Sequence, residues 1–199
     1  MDEFASYQSF AQVYDEFMDQ TPYRLWGEKI RQYLRKYKVK DGADVLDLGC
    51  GSGRDSLAFL KAGFAVDAVD GSAEMAKAAS ELTGMRVEHA TFTDFEPKRV
   101  YDGIWACSSL LHVPAAELPA LIAKYAAALR PGGCFYLSFK LGDHDGMRND
   151  RWFTDMPEQS FRRLIDEVED LTVDRVDVTS DVRPGRADEK WLNAWCMRI

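Results

Sequence analysis

The 199 residues carry a net charge of −8, with 46% apolar and 29% charged side chains. That mix excludes a disordered chain and a membrane protein, and the length suits one domain with its own core. The acidic balance also argues against a long nucleic-acid surface, which would need clustered Lys and Arg.

The four cysteines, Cys50, Cys107, Cys134 and Cys196, are scattered without metal-ligand spacing, which suits a reducing cytoplasm and predicts no metal site. No apolar run reaches the ~18 residues of a membrane span, and the opening "MDEFASYQSF" lacks the apolar core of a signal peptide. The first twenty residues hold Phe4, Tyr7, Phe10, Tyr14 and Phe17, rich in aromatics for a tail. Thr21-Pro22 opens a helix carrying Trp26, Ile30, Tyr33, Leu34 and Tyr37, and Asp41-Gly42 closes it. "DVLDLG" is a short buried strand, "RDSLAFLKA" a helix stopped by Gly63, and "AVDAVD" a second strand. "SAEMAKAASELT" is a helix with Ser72 as cap and Gly84 past its end. "MRVEH" and "GIWAC" are the third and fourth strands. Leu118, Leu121, Ile122, Tyr125 and Leu129 mark a long helix, "RPGG" breaks it, and "CFYLSF" is the fifth strand. Phe161, Leu164, Ile165 and Val168 make one more helix before two last strands, "TVDRVDV" and "KWLNAWCMR".

Strands alternating with helices imply a parallel sheet covered on both faces. The last two strands have no helix between them, so they pair antiparallel. The expected fold is therefore a doubly wound, Rossmann-like α/β sheet of seven strands, mostly parallel, with the last strand reversed. One domain spans residues 1–199, with an amino-terminal lid and helix over 1–40 and the Rossmann-like core over 41–199.

Ligands of open α/β sheets bind at the carboxyl ends of the strands, where "GCGSG" lies. Gly49, Gly51 and Gly53 permit a sharp turn and close approach of a ligand. The dinucleotide fingerprint would place a sixth-position glycine where Arg54 stands. Asp47, two residues before the first glycine, would repel a pyrophosphate and attract a cationic ligand. Asp70 ends the second strand about 20 residues on, where a carboxylate accepts from ribose hydroxyls.

These residues, with "AVDAVDGSAEM", "YDGIWACSSLLHVP" and "LRPGG", resemble the class I S-adenosylmethionine-dependent methyltransferases over about Asp44 to Phe139. The tail resembles small bacterial members, some labelled tellurite-resistance methyltransferases. The resemblance implies S-adenosylmethionine as cofactor and methyl transfer to a small molecule or a metalloid oxyanion. It implies that Asp47, Gly49, Cys50, Gly51 and Gly53 hold the methionine end, with Arg54 reaching its carboxylate. Asp70 takes the ribose, and Gly71, Ser72 and Met75 flank the adenosine. Thr91 and Phe92 wrap the adenine, which is recognised through Phe92 backbone groups or Asp94. Ala106, Cys107 and Ser108 pass beside the sulfonium, and Tyr7 or Tyr14 closes over the carboxylate.

His112 stands near the expected methyl position, either as a general base or as a donor that orders its loop. Cys107 is a candidate nucleophile or a small half-buried residue. Asp67, on the opposite strand face from Asp70, is structural, and Trp191 and Trp195 are core. Arg148, Arg151, Trp152 and Phe153 either line a substrate mouth or are surface arginines beside a core Trp. The stretch 140–153 is the expected mobile element, and the chain is expected to be a cytoplasmic monomer or homodimer without a nucleic-acid or membrane partner. Two other functions fit the same fold: a non-catalytic S-adenosylmethionine-binding regulator and a nicotinamide-dependent oxidoreductase.

Overall fold

The computed structural model describes residues 42–199 apart from Val182, Pro184 and Ala187. The predicted amino-terminal lid and helix, with Tyr7 and Tyr14, lie outside the described residues. Strands β1 (Asp44–Leu48), β2 (Ala65–Asp70), β3 (Glu88–His89) and β4 (Tyr101–Ala106) alternate with helices α1 (Arg54–Lys61) and α2 (Ala73–Thr83). Helix α3 (Leu118–Ala127) leads into β5 (Leu129–Lys140), and a hairpin of β6 (Asp145–Arg148) and β7 (Arg151–Thr154) follows. Helix α4 (Glu158–Asp166) precedes β8 (Leu171–Ser180) and β9 (Lys190–Arg198).

Seven strands form one sheet in the order β3-β2-β1-β4-β5-β9-β8. The pairings from β3 through β5 are parallel, and β9 runs antiparallel to both neighbours. This is the predicted mixed sheet with its last strand reversed.

Side-chain alternation divides the core between the two faces. Leu46, Ile104, Phe135 and Leu137 meet Leu121, Ile122 and Tyr125 of α3 and Phe161, Leu164 and Ile165 of α4. Val45, Trp105, Tyr136 and Trp195 lie on the other face with Phe59 of α1. There the Trp105 and Tyr136 rings stack with centroids 3.8 Å apart. Asp67 takes the structural role expected of it, accepting from the Tyr101 hydroxyl and from Arg99, both at 2.8 Å.

Three local expectations change. The third strand shrinks to Glu88–His89, since Met85 to Val87 form no ladder with β2. The fifth strand starts at Leu129, opposite Tyr101, and Arg130 to Gly133 bulge out before pairing resumes at Cys134. The stretch 140–153 is not structureless: it forms a hairpin on a two-residue turn. Asn149 (φ 50°) and Asp150 (φ 59°) both take left-handed backbone, the geometry of a type I′ turn. No helix among the described residues is long and apolar enough to cross a membrane.

Candidate active site

The order of strands switches direction between β1 and β4, and a cleft of about 830 Å³ opens at their carboxyl ends. That is near the top of the ~300–1,000 Å³ range of small-molecule sites, with room for more than one ligand.

The glycine turn after β1 forms one end. All three glycines have positive φ: Gly49 77°, Gly51 56° and Gly53 83°. Only Gly51 faces open space, with nothing within 4 Å of a Cβ built on it. A Cβ on Gly49 would stand 2.4 Å from that of Ser109, and one on Gly53 would stand 2.8 Å from that of Ala79. Two of the glycines thus serve packing against the loop after β4 and against α2, while one leaves room for a ligand. Gly53 does not line the cleft, and neither does Ala106, which is fully buried in the core. Both were expected at the cofactor. The face of β4 that carries Ala106 turns towards the α3 and α4 layer, away from the cleft.

The N–H groups of the turn are already engaged. Gly49 and Cys50 donate to the Val69 carbonyl at 2.9 and 3.1 Å, and Gly53 donates to the Cys50 carbonyl at 3.0 Å. Gly51 donates to Asp70 Oδ2 at 2.8 Å. The other Asp70 oxygen accepts from Ser72 N–H at 2.9 Å. A phosphate cradle needs such N–H groups turned towards the ligand, and here they are spent within the protein.

The floor is acidic. Asp47 is 2% exposed, and its Oδ2 accepts from Ser56 Oγ at 2.5 Å. Burial, with Asp55 and Asp70 nearby, pushes its carboxyl well above the usual range. Burial also raises Asp55, whose Oδ2 accepts from Trp105 Nε1 at 2.8 Å. Asp70 is raised by burial too, against its two N–H bonds. Three neighbouring acids, Asp47 buried and Asp55 and Asp70 half-buried, fit a ligand bringing positive charge and disfavour a pyrophosphate.

The remaining expected residues fall as follows. Cys50, Arg54, Gly71, Ser72, Met75, Thr91, Phe92, Cys107 and Ser108 line the cleft. The Phe92 carbonyl accepts from the Tyr125 hydroxyl at 2.7 Å, and Asp94 binds Thr91 Oγ1 at 2.7 Å without lining the cleft. Ser108 holds φ 52° while its N–H donates to Ser138 Oγ at 2.7 Å, so the loop after β4 is fixed in a tight bend. Burial pushes the Cys50 and Cys107 thiols far up, so neither supplies a thiolate.

His112 follows β4 in a single 3₁₀ turn, Leu110–His112. Its Nδ1 lies 2.8 Å from the Trp152 carbonyl. A carbonyl only accepts, so Nδ1 carries the proton and Nε2 is the acceptor. Burial lowers its pKa from 6.5 to about 4, so the ring stays neutral. The hairpin that holds it is itself tied down. Thr154 Oγ1 lies 2.7 Å from the Val113 carbonyl, and Trp152 Nε1 donates to Asp145 Oδ1 at 2.8 Å.

A neutral buried histidine makes stability depend on pH. The unfolded chain binds the proton more readily, so the contribution is whole above about 6.5 and fades as pH falls to about 4. The stability difference between wild type and His112→Gln should therefore shrink by about 2 kcal/mol over that window. Urea midpoints at pH 7 and pH 4.5 check this, and a pH-independent difference would overturn it.

Lys140 lines the far side of the cleft, at the start of the stretch 140–153 expected to help form the acceptor pocket. Sequence reasoning missed most of the rest: Ser138 of β5, Thr179 and Ser180 of β8, Arg183, Arg186, Trp191 and Asn193 all line it. Trp195 is core as expected, whereas Trp191 is half-buried: it packs against the core and also lines the cleft, pairing with Lys140 at the edge where β5 ends and β9 begins. Arg148, Arg151 and Phe153 line the mouth, whereas Trp152 braces the hairpin from behind. Asp55 was also overlooked, although it follows the turn directly.

Residues 45–133 match the family model described as a methyltransferase domain. A Geobacillus sp. (strain WCH70) protein, itself assigned as a methyltransferase, is 32% identical over 111 residues, covering 53% of this chain and 45% of its own length. The chain thus spans less than half the length of the first curated relatives it matches. Among solved structures, N-methyltransferase NodS of Bradyrhizobium japonicum WM9, in complex with S-adenosylhomocysteine, superposes with TM-score 0.75 at 17% identity, covering 100% of this chain and 99% of NodS. The 1,6-didemethyltoxoflavin-N1-methyltransferase of Burkholderia thailandensis, with its acceptor and S-adenosylhomocysteine bound, gives TM-score 0.74 at 24% identity, covering 98% of this chain and 86% of that one.

Proposed function

We propose that this methyltransferase domain binds S-adenosylmethionine on the glycine turn and transfers its methyl group to a small molecule held at the other end of the cleft. The observation that carries the reading is the turn itself: a glycine loop whose Gly49, Cys50, Gly51 and Gly53 N–H groups are spent within the protein, above a floor of acids. That arrangement suits a nucleoside bearing positive charge and no phosphate. Bound S-adenosylmethionine supplies an activated methyl: the carbon–sulfur bond breaks, sulfur keeps the electron pair, and an acceptor lone pair takes the carbon.

The residues then have distinct tasks. Asp47 answers the ligand's positive charge from the floor, Asp70 offers its remaining lone pairs to the ribose hydroxyls, and Gly51 leaves the backbone bare beneath the ligand. Arg54, at the start of α1, stands where the ligand carboxylate would arrive. Held neutral with a pKa of about 4, His112 is a weak proton acceptor at neutral pH. It serves to position the loop and the hairpin, and alignment of the two reactants supplies most of the acceleration.

Calorimetry on the full chain tests the reading. S-adenosylhomocysteine should bind and NAD should not. Binding of NAD in place of S-adenosylhomocysteine would overturn it in favour of hydride chemistry. Conversion of S-adenosylmethionine to S-adenosylhomocysteine with a metabolite extract should follow, and binding without turnover across such pools would mark a regulator instead.

A further inference from the structure

We infer that the acceptor is an anion, a small molecule whose carboxylate, sulfonate or phosphate group is received by Arg148 beside the Phe153 ring. The inference rests on the methyl-transfer reading of this cleft and names the chemistry of its second ligand.

The two ends of the cleft differ in sign. Over β1 and β2 its lining includes the three acids Asp47, Asp55 and Asp70. Over β5, β9 and β8, and along the hairpin, Glu189 outside the lining pairs Lys140 and Arg186, and the lining among the described residues includes Lys140, Arg148, Arg151, Arg183 and Arg186 against one acid, Asp181. That acid is committed, accepting from Arg183 Nε at 2.9 Å and from Trp191 Nε1 at 3.0 Å. In a chain of net charge −8 this end is a local reversal. Clefts lined by one sign of charge focus the field and concentrate the opposite ion.

Arg148 is placed to use that field. Its Nη2 donates to Asp155 Oδ2 at 2.9 Å, and its Cζ lies 5.2 Å from the Phe153 ring centroid. Asp155 is only 10% exposed at its side chain, so it holds the guanidinium firmly. Among the described residues Arg148 makes this one side-chain hydrogen bond, and a fork so anchored suits a bidentate oxyanion. Phe153 is fixed in turn, with the His112 ring edge-on at 4.8 Å and Arg151 Cζ at 5.7 Å. Phe153 and Trp191 give a flat apolar body something to lie against, whereas a cationic acceptor would meet a lining richer in cations than in acids.

The test uses the full chain saturated with S-adenosylhomocysteine and three acidic probes: benzoate, phenylacetate and phenyl phosphate. Benzamide and phenylacetamide are the uncharged counterparts. At least one acid should bind about tenfold tighter than the amides, and added salt should weaken it. Arg148→Gln should lose about tenfold of that affinity and Arg148→Lys less, because the charge survives but the fork does not. Neither variant should change the affinity for S-adenosylhomocysteine. If no acid outbinds the amides, or Arg148→Gln binds acids as well as wild type, the inference is overturned. Titration of S-adenosylhomocysteine into the acid-loaded protein separates the two readings, since failure of that titration alone removes the cofactor assignment and leaves the anion site standing.

Discussion

Asp70→Ala is expected to lower the affinity for S-adenosylhomocysteine about 100-fold in a protein that still folds. Each carboxylate oxygen holds one backbone N–H, Gly51 on one side and Ser72 on the other. Removing them frees the tip of the glycine turn from the end of β2 and leaves two donors without a partner. The hydrogen bonds to a ribose go as well. Bonds to a charged acceptor are worth roughly 1.5–3 kcal/mol each, so a total loss of about 3 kcal/mol is modest. The fold should suffer little by comparison. Burial raises the Asp70 carboxyl, so its charge costs stability at neutral pH, and deleting it offsets the lost bonds. Calorimetry with circular dichroism checks both halves. A folded variant with unchanged affinity would remove Asp70 from the binding site, and Asp70→Asn should fall between because it keeps one acceptor oxygen.

The second large effect separates two glycines of one motif. Gly49→Ala should cost about 3 kcal/mol of stability and about 10 °C in Tm, from a steric clash together with left-handed backbone. Its new methyl would lie 2.4 Å from Ser109 Cβ and 3.2 Å from two carbons of the Phe92 ring, in a packed loop that cannot easily retreat. Gly51→Ala meets no such obstacle within 4 Å, so only the backbone penalty of about 1 kcal/mol applies. Its methyl instead occupies the open space of the cleft, and the affinity for S-adenosylhomocysteine should fall about tenfold. Thermal melts and titrations on the pair check the assignment. A stable Gly49→Ala would overturn the packing role of that glycine, and a Gly51→Ala that binds like wild type would mean that the ligand does not lie over this turn.

By itself the sequence determined the alternation of strands and helices, the reversal of the last strand, and the end of the sheet at which the cleft opens. These follow from local patterns: buried runs such as "VLDL", caps such as Ser72 and Gly84, and a final connection without a helical repeat. The acids Asp47 and Asp70 were legible for the same reason, since each ends or nearly ends a strand beside a glycine turn. Only the tertiary structure decided what each glycine is for, because that depends on Ser109 and Ala79, far along the chain. It likewise decided that Ala106 faces the core while Trp191 faces the cleft: alternation along a strand says that faces differ, and packing says which face is which. The hairpin at 145–154 escaped the sequence because its turn is Asn149-Asp150 without a glycine, and its strands are short and charged. Of the cationic end of the cleft, Arg148 and Arg151 were legible as one of two readings, whereas Arg183 and Arg186 escaped for a simpler reason. They come from the β8–β9 loop, tens of residues away, and only the antiparallel return of β9 brings them to the same edge.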